Sequence, residues 1–154
     1  QREGLEFETT IRSDSAALHG LVGEMLKVTG EIRCMRDPTR GGLASALNEI
    51  ADQSQVGIEL EESAIPIREE VRGACEILGL DSLYVANEGK LIAIVAPDAE
   101  HAVLRAMRGH ALGGEAQAIG TVRHQHPGLV TMRTVLGTTR VVDMLEGDQL
   151  PRIC

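Results

Sequence analysis

Aromatic side chains are nearly missing from this sequence: it has no tryptophan, and Phe7 and Tyr84 are the sole phenylalanine and tyrosine. A core without rings has to be filled by Leu, Ile, Val, Ala and Met. A single-stranded nucleic acid would also find no platform of rings to stack on. Positive charge is scarce as well, with 15 Lys and Arg against 23 Asp and Glu, a net charge of −8. Most of such a surface repels a phosphate backbone, which excludes DNA or RNA as an expected partner. One bound nucleotide is still allowed, because it needs only a local cluster of donors. No apolar run approaches the roughly 20 residues that span a bilayer, and no signal peptide opens the chain, so no membrane role is expected. The three cysteines, Cys34, Cys75 and Cys154, are odd in number and widely spaced. They form neither a disulfide framework nor a zinc site, and a reducing cytoplasm is the expected setting.

What is present is enough for one domain with one sizeable core. Gln1 is not an initiator, and residues 1–12 read as a linker or remnant of a preceding domain. Ser13 or Asp14 is placed to cap a helix carrying Leu18, Leu21, Val22, Met25 and Leu26 at helical spacing, with Gly30 to end it. Residues 31–36 predict a strand, and residues 43–53 a helix with Leu43, Leu47, Ile50 and Ala51 on one face. Ile58 to Leu60 predicts a strand. A helix is predicted from Pro66 to about Leu78, with Glu69 and Glu70 in its first turn and Gly79 as its stop. Lys90 to Ala96 is a nearly continuous apolar strand, buried on both faces if central. Pro97-Asp98 starts a further helix that ends at Gly109. Three strands are predicted in the last third, at Ala116–Val122, Leu129–Arg133 and Arg140–Met144, with turns at Pro127-Gly128 and Gly137. Helices interleaved with strands in this way predict an α+β (α/β layered) fold, a mixed sheet with helices packed against it.

Four stretches carry possible chemistry. Asp37-Pro38-Thr39-Arg40-Gly41-Gly42 stands directly before a helix. Free amides and a positive dipole end there favour an anion, and Thr39 and Arg40 supply a hydroxyl and a guanidinium. The same residues also make a tight turn in which Gly-Gly serves packing alone, and the pattern does not choose between the two. Asn87-Glu88-Gly89-Lys90 puts an amide and an acid on a turn before a buried strand. It is either a solvated turn or the seat of a general base. His124-Gln125-His126 adjoins Pro127-Gly128 and reads as an exposed turn rather than a metal site. Cys34 and Cys75 read as small core residues. The chain closes on Pro151-Arg152-Ile153-Cys154, a terminal thiol that is either incidental or free to travel with its tail.

Three of these stretches, CMRDPTRGGLA at 34–44, LDSLYVANEGK at 80–90 and LPRIC at 150–154, together resemble the C-terminal half of the HypE family of nickel–iron hydrogenase maturation proteins. That family sits in the aminoimidazole ribonucleotide synthetase and selenophosphate synthetase superfamily. The resemblance covers about Ser13 to Cys154. It implies a synthetase-like C-terminal domain over residues 13–144 and a mobile tail at 145–154. It also implies a missing N-terminal domain that binds most of ATP and Mg and forms a homodimer.

The activity implied is an ATP-dependent carbamoyl dehydratase. A carbamoyltransferase partner loads Cys154, ATP phosphorylates the carbamoyl oxygen, and loss of phosphate leaves a thiocyanate. Its cyanide then passes to an iron-carrying scaffold or chaperone complex. On this resemblance Cys154 is the carrier and Glu88 the candidate general base. Asp37, Thr39, Arg40, Gly41, Gly42 and Asn87 hold phosphate or the tail, Arg152 guides the tail, and no residue binds metal. Two alternatives stand beside it: a partner-binding module without chemistry of its own as isolated, and a sibling ATP-dependent synthetase or kinase domain acting on a small substrate.

Overall fold

A computed structural model describes residues 11–144 and contains four helices and six strands. In chain order they are α1 (His19–Val28), β1 (Ile32–Arg36), α2 (Gly42–Ser54), β2 (Gly57–Glu61), α3 (Glu69–Leu78), β3 (Ile92–Val95), α4 (Glu100–Arg108), β4 (Gly120–Arg123), β5 (Val130–Arg133) and β6 (Thr139–Val141). Single 3-10 turns sit at Glu62–Ala64 and Ser82–Tyr84. The expected α+β class is what these elements build. No described helix is long and apolar enough to cross a membrane.

The strands divide into two sheets. The larger is mixed, in the order β4-β2-β5-β6, with β2 and β5 parallel and the other neighbours antiparallel. Alternation gives it one wet face and one dry face. Glu59 pairs with Arg123 at 3.0 Å and Glu61 with Arg133 at 2.8 Å on the wet face. Ile58, Leu60, Val130, Met132 and Val142 are buried with Ala44, Ala46, Leu47, Ile50 and Ala51 of α2. The small side chains of α2 let that helix lie close to its neighbours on both sides.

The smaller sheet is the antiparallel ribbon β1-β3, and it divides two cores. Ile92 and Ile94 face the α2 core, while Leu91, Ala93 and Val95 face a second core of Leu21, Met25 and Val103 from α1 and α4. Within residues 90–96, read as an apolar strand buried on both faces if central, the strand itself is Ile92–Val95. The segment is apolar on both faces, yet β3 is not central: it is paired to β1 alone within a two-stranded ribbon. Double coverage comes from two separate cores. In β1 the register shifts between Ile32 and Cys34, so Ile32 joins the second core and Cys34 the first. The bulge reverses the alternation, which an unbroken strand would have kept.

Three predicted helix starts move, and the one expected at Pro97-Asp98 falls at Glu100. Neither Ser13 nor Asp14 caps α1, which begins at His19 with Leu18 at the N-cap and no side-chain cap bond. Residues 11–18 run without regular structure. Pro66 does not open α3 either. Residues 66–68 carry no regular structure, the N-cap Arg68 is extended, and Ile65 and Ile67 line a crevice with Leu83 and Met132. The helix stop at Gly79 is as expected, with φ +66° and the Leu80 amide bonded back to the Cys75 carbonyl at 2.9 Å.

Leu47 is 2% exposed at the centre of the larger core. Its replacement by alanine is expected to cost about 2–5 kcal/mol, read as a lower urea midpoint at unchanged slope.

Candidate functional site

The Asp37–Gly42 loop joins β1 to α2. Pro38 is buried, Thr39 half-buried, and Asp37 and Arg40 are exposed. Gly41 and Gly42 both have positive φ, +67° and +60°, a conformation that side chains with a Cβ resist. A Cβ on Gly42 would also lie 2.5 Å from the carbonyl oxygens of both Leu83 and Val85. The backbone of the 82–85 segment therefore presses directly on the first residue of α2. Gly42 thus serves packing. The dipole end of α2 carries no acidic residue in its first turn, so the anion-binding role is left open as well.

The same close approach brings the second motif alongside. The Asn87 amide donates to the Pro38 carbonyl at 3.0 Å, and the Asn87 side chain donates to Val85 O at 2.8 Å. The Asp37–Gly42 and Asn87–Lys90 loops are therefore one connected surface, although 45 residues separate Gly42 from Asn87 in the chain. Glu88 is exposed on this surface. Its amide donates to Asp14 Oδ2 at 3.1 Å. A Cβ on Gly89 would overlap the Asp14 carbonyl oxygen and lie 3.0 Å from the Ala16 amide nitrogen. Residues 14–16 cross directly over this loop.

Tyr84, three residues before Asn87, ties the surface to the far end of the described chain. Its hydroxyl donates to the Asp143 carbonyl at 2.9 Å. Asn48 of α2 donates to the Val142 carbonyl at 2.8 Å. The Val142 side chain is fully buried and its amide bonds to Val130 O at 2.9 Å. Asp81 accepts from Arg140 at 3.1 Å and from the Leu83 amide at 2.9 Å. Burial, then the neighbouring Asp81 charge, pushes the Tyr84 phenol above its ordinary range. The same two causes, in the same order, raise the Cys75 thiol. Cys75 is buried and Cys34 packs partly buried on the larger core, as expected of both.

Cys154 and Arg152 lie outside the described residues, as do residues 1–10 and the tail from 145 onward. His124 and His126 are exposed, at the end of β4 and in the turn after it. Among the described residues no three His, Cys, Asp or Glu side chains gather where they would hold a metal ion. Sequence reasoning did not single out Asp14 as a partner of the Asn87–Lys90 loop, nor Asn48 or Tyr84 as anchors. Asn48 sits within a helix and Asp14 looked like a cap. Tyr84, as the one tyrosine, inside a motif, carried the only readable signal.

With this geometry in place, comparison with known proteins is informative. Residues 1–131 match the family described as AIR synthase related protein, C-terminal domain. The chain is 61% identical over 154 residues to "Carbamoyl dehydratase HypE" of Cupriavidus necator, all of this chain and 44% of that protein. It resembles a solved HypE structure in complex with ATP, with a TM-score of 0.91 and 47% identity, over 99% of this chain and 47% of that one. It also resembles a chain of a HypE–HypF complex, with a TM-score of 0.88 and 43% identity, over 94% of this chain and 47% of that one. The chain thus spans somewhat under half the length of each of these proteins.

Tyr84→Phe is expected to lower stability near neutral pH by about 0.5–1 kcal/mol, the low end for one hydrogen bond because water can reach the exposed Asp143. The phenol ionises at higher pH folded than unfolded. Its contribution is therefore intact below the unfolded value of about 10 and falls as pH rises above it. Urea midpoints measured at several pH values should fall less steeply above pH 10 in the Phe variant than in the parent.

Proposed function

The chain belongs to the AIR synthase related protein C-terminal domain family, and from that footing we propose that it is the C-terminal part of an ATP-dependent carbamoyl dehydratase of the HypE type. The observation that carries the proposal is the hydrogen bond from the Asn87 amide to the Pro38 carbonyl, 3.0 Å long. It joins the candidate base loop to the candidate phosphate loop, as a reaction that removes phosphate and a proton from one group requires. The identity to carbamoyl dehydratases and the likeness to a HypE bound to ATP support the substrate pair.

The chemistry assigned to these residues is a stepwise dehydration. Cys154 carries an S-carbamoyl group. The carbamoyl oxygen attacks the γ-phosphorus of ATP, ADP leaves, and one N–H proton is lost, giving an S-linked imidate phosphate. Glu88 takes the remaining N–H proton as phosphate departs, and the nitrogen lone pair closes the C≡N bond of the thiocyanate. Phosphorylation turns a poor leaving group, hydroxide, into a good one. Asp37, Thr39, Arg40, Gly41, Gly42 and Asn87 hold phosphate or the tail, and Arg152 guides the tail by charge.

In this reading residues 1–12 are a linker or remnant from an N-terminal ATP- and Mg-binding domain that forms the homodimer. Residues 13–144 are the synthetase-like domain, and residues 145–154, outside the described residues, are the tail that ends in the reactive cysteine. No metal ligand is assigned to this chain. The likeness to a HypE–HypF complex supports a carbamoyltransferase partner that loads Cys154. An iron-carrying scaffold or chaperone complex would accept the cyanide, in the cytoplasm.

The test uses the full-length protein with its carbamoyltransferase and ATP, followed by mass spectrometry of the terminal peptide. A net cyano adduct on Cys154 is expected, absent in Cys154→Ala. Glu88→Gln should keep the carbamoyl adduct and slow its conversion by about 10²–10⁴-fold. Cyanide delivery that survives Cys154→Ala would end the carrier reading. The 154-residue chain alone is expected to show no Cys154-dependent ATP hydrolysis, measured as phosphate release.

A further inference from the structure

Glu88 sits on an exposed loop, and a general base on a loop acts well only if its backbone is held. The loop is pinned from two sides by successive amides. Asn87 N–H bonds to Pro38 O at 3.0 Å on the α2 side. Glu88 N–H bonds at 3.1 Å to the Asp14 carboxylate, from a segment 74 residues earlier. The second acceptor is a side-chain oxygen, Asp14 Oδ2.

Steric evidence points the same way. Gly89 has no positive φ, so its backbone does not demand glycine. Space demands it: a Cβ there would overlap the Asp14 carbonyl oxygen and stand 2.7 Å from the Asp14 carbonyl carbon. The glycine after Glu88 is thus the opening through which the Asp14–Ala16 backbone passes. Asp14 is half-buried in this crossing. Its carboxylate makes no cap for α1, whose first residue lies five positions further on.

We propose that Asp14 is a positioning residue for the dehydration, holding the Glu88 backbone so that its carboxylate meets the N–H proton. This rests on the reading of Glu88 as the base. What Asp14 supplies is an acceptor at one place, not its charge, so an amide oxygen at the same place serves.

The experiment follows conversion of the loaded S-carbamoyl group to S-cyano in single turnover, in the full-length protein, for four variants. Asp14→Ala is expected to slow conversion about 10-fold to 100-fold, with the KM for ATP changed less than about twofold. Asp14→Asn should recover to within about threefold of the parent, because its side-chain oxygen still accepts. In a Glu88→Gln background, Asp14→Ala should add no further loss, since the group it positions no longer acts. Parent-like conversion in Asp14→Ala overturns the proposal. So does an Asp14→Asn as slow as Asp14→Ala, or a full multiplicative loss in the double variant. Parent-like conversion in Glu88→Gln alone would instead remove the base reading on which the proposal rests.

Discussion

The contact on which the site depends is between backbones. The carbonyls of Leu83 and Val85 press against the α-carbon of Gly42, where no side chain fits. That approach sets the distance between α2 and the 82–85 segment. It thereby places Asn87 where its amide meets Pro38. Small residues along α2 extend the same closeness: Ala44, Ser45, Ala46 and Ala51 are all buried. Larger side chains would lever the helix away from the segment and open the junction between the two loops. Interiors this dense respond to one methylene, so the junction is under tight steric control.

Around that contact the two cores divide the work. The α2 core stabilises the mixed sheet and the two loops. The α1–α4 core stabilises the β1-β3 ribbon from its other side. β3 follows the 87–90 loop directly, and β1 leads directly into the 37–42 loop. The ribbon therefore carries both loops at one of its ends. Antiparallel pairing of Arg36 with Ile92 brings the exit of one strand beside the entrance of the other. The motifs meet because their strands are paired.

How much of this could be read from the sequence depends on how local each cause is. The α2 face, the Gly79 stop and the apolar 90–96 segment follow from period and composition, and they stand. The Gly41-Gly42 pair was readable as special but not as to why, since the reason is a carbonyl on a segment 40 residues away. Asp14 misled because a cap is the nearest use for an aspartate before a helix. Its actual donor is the Glu88 amide. The reversal between Ile32 and Cys34 was invisible, because a bulge leaves no mark in a five-residue strand. That the two loops meet was not readable from the sequence, because its causes are the pairing of β1 with β3 and one backbone hydrogen bond between distant segments.

The buried Val142, with Asn48 holding its carbonyl and Tyr84 that of Asp143, also defines a radius. Eleven residues separate Asp143 from Cys154, so covalent geometry confines the thiol to within roughly 36–40 Å of that stake. A domain of this length has a radius of gyration of about 14 Å, so that covalent bound is about as large as the body is wide. Lengthening or shortening the stretch after Met144 would move that bound by roughly 3.3–3.6 Å per residue, with no residue of the folded body altered.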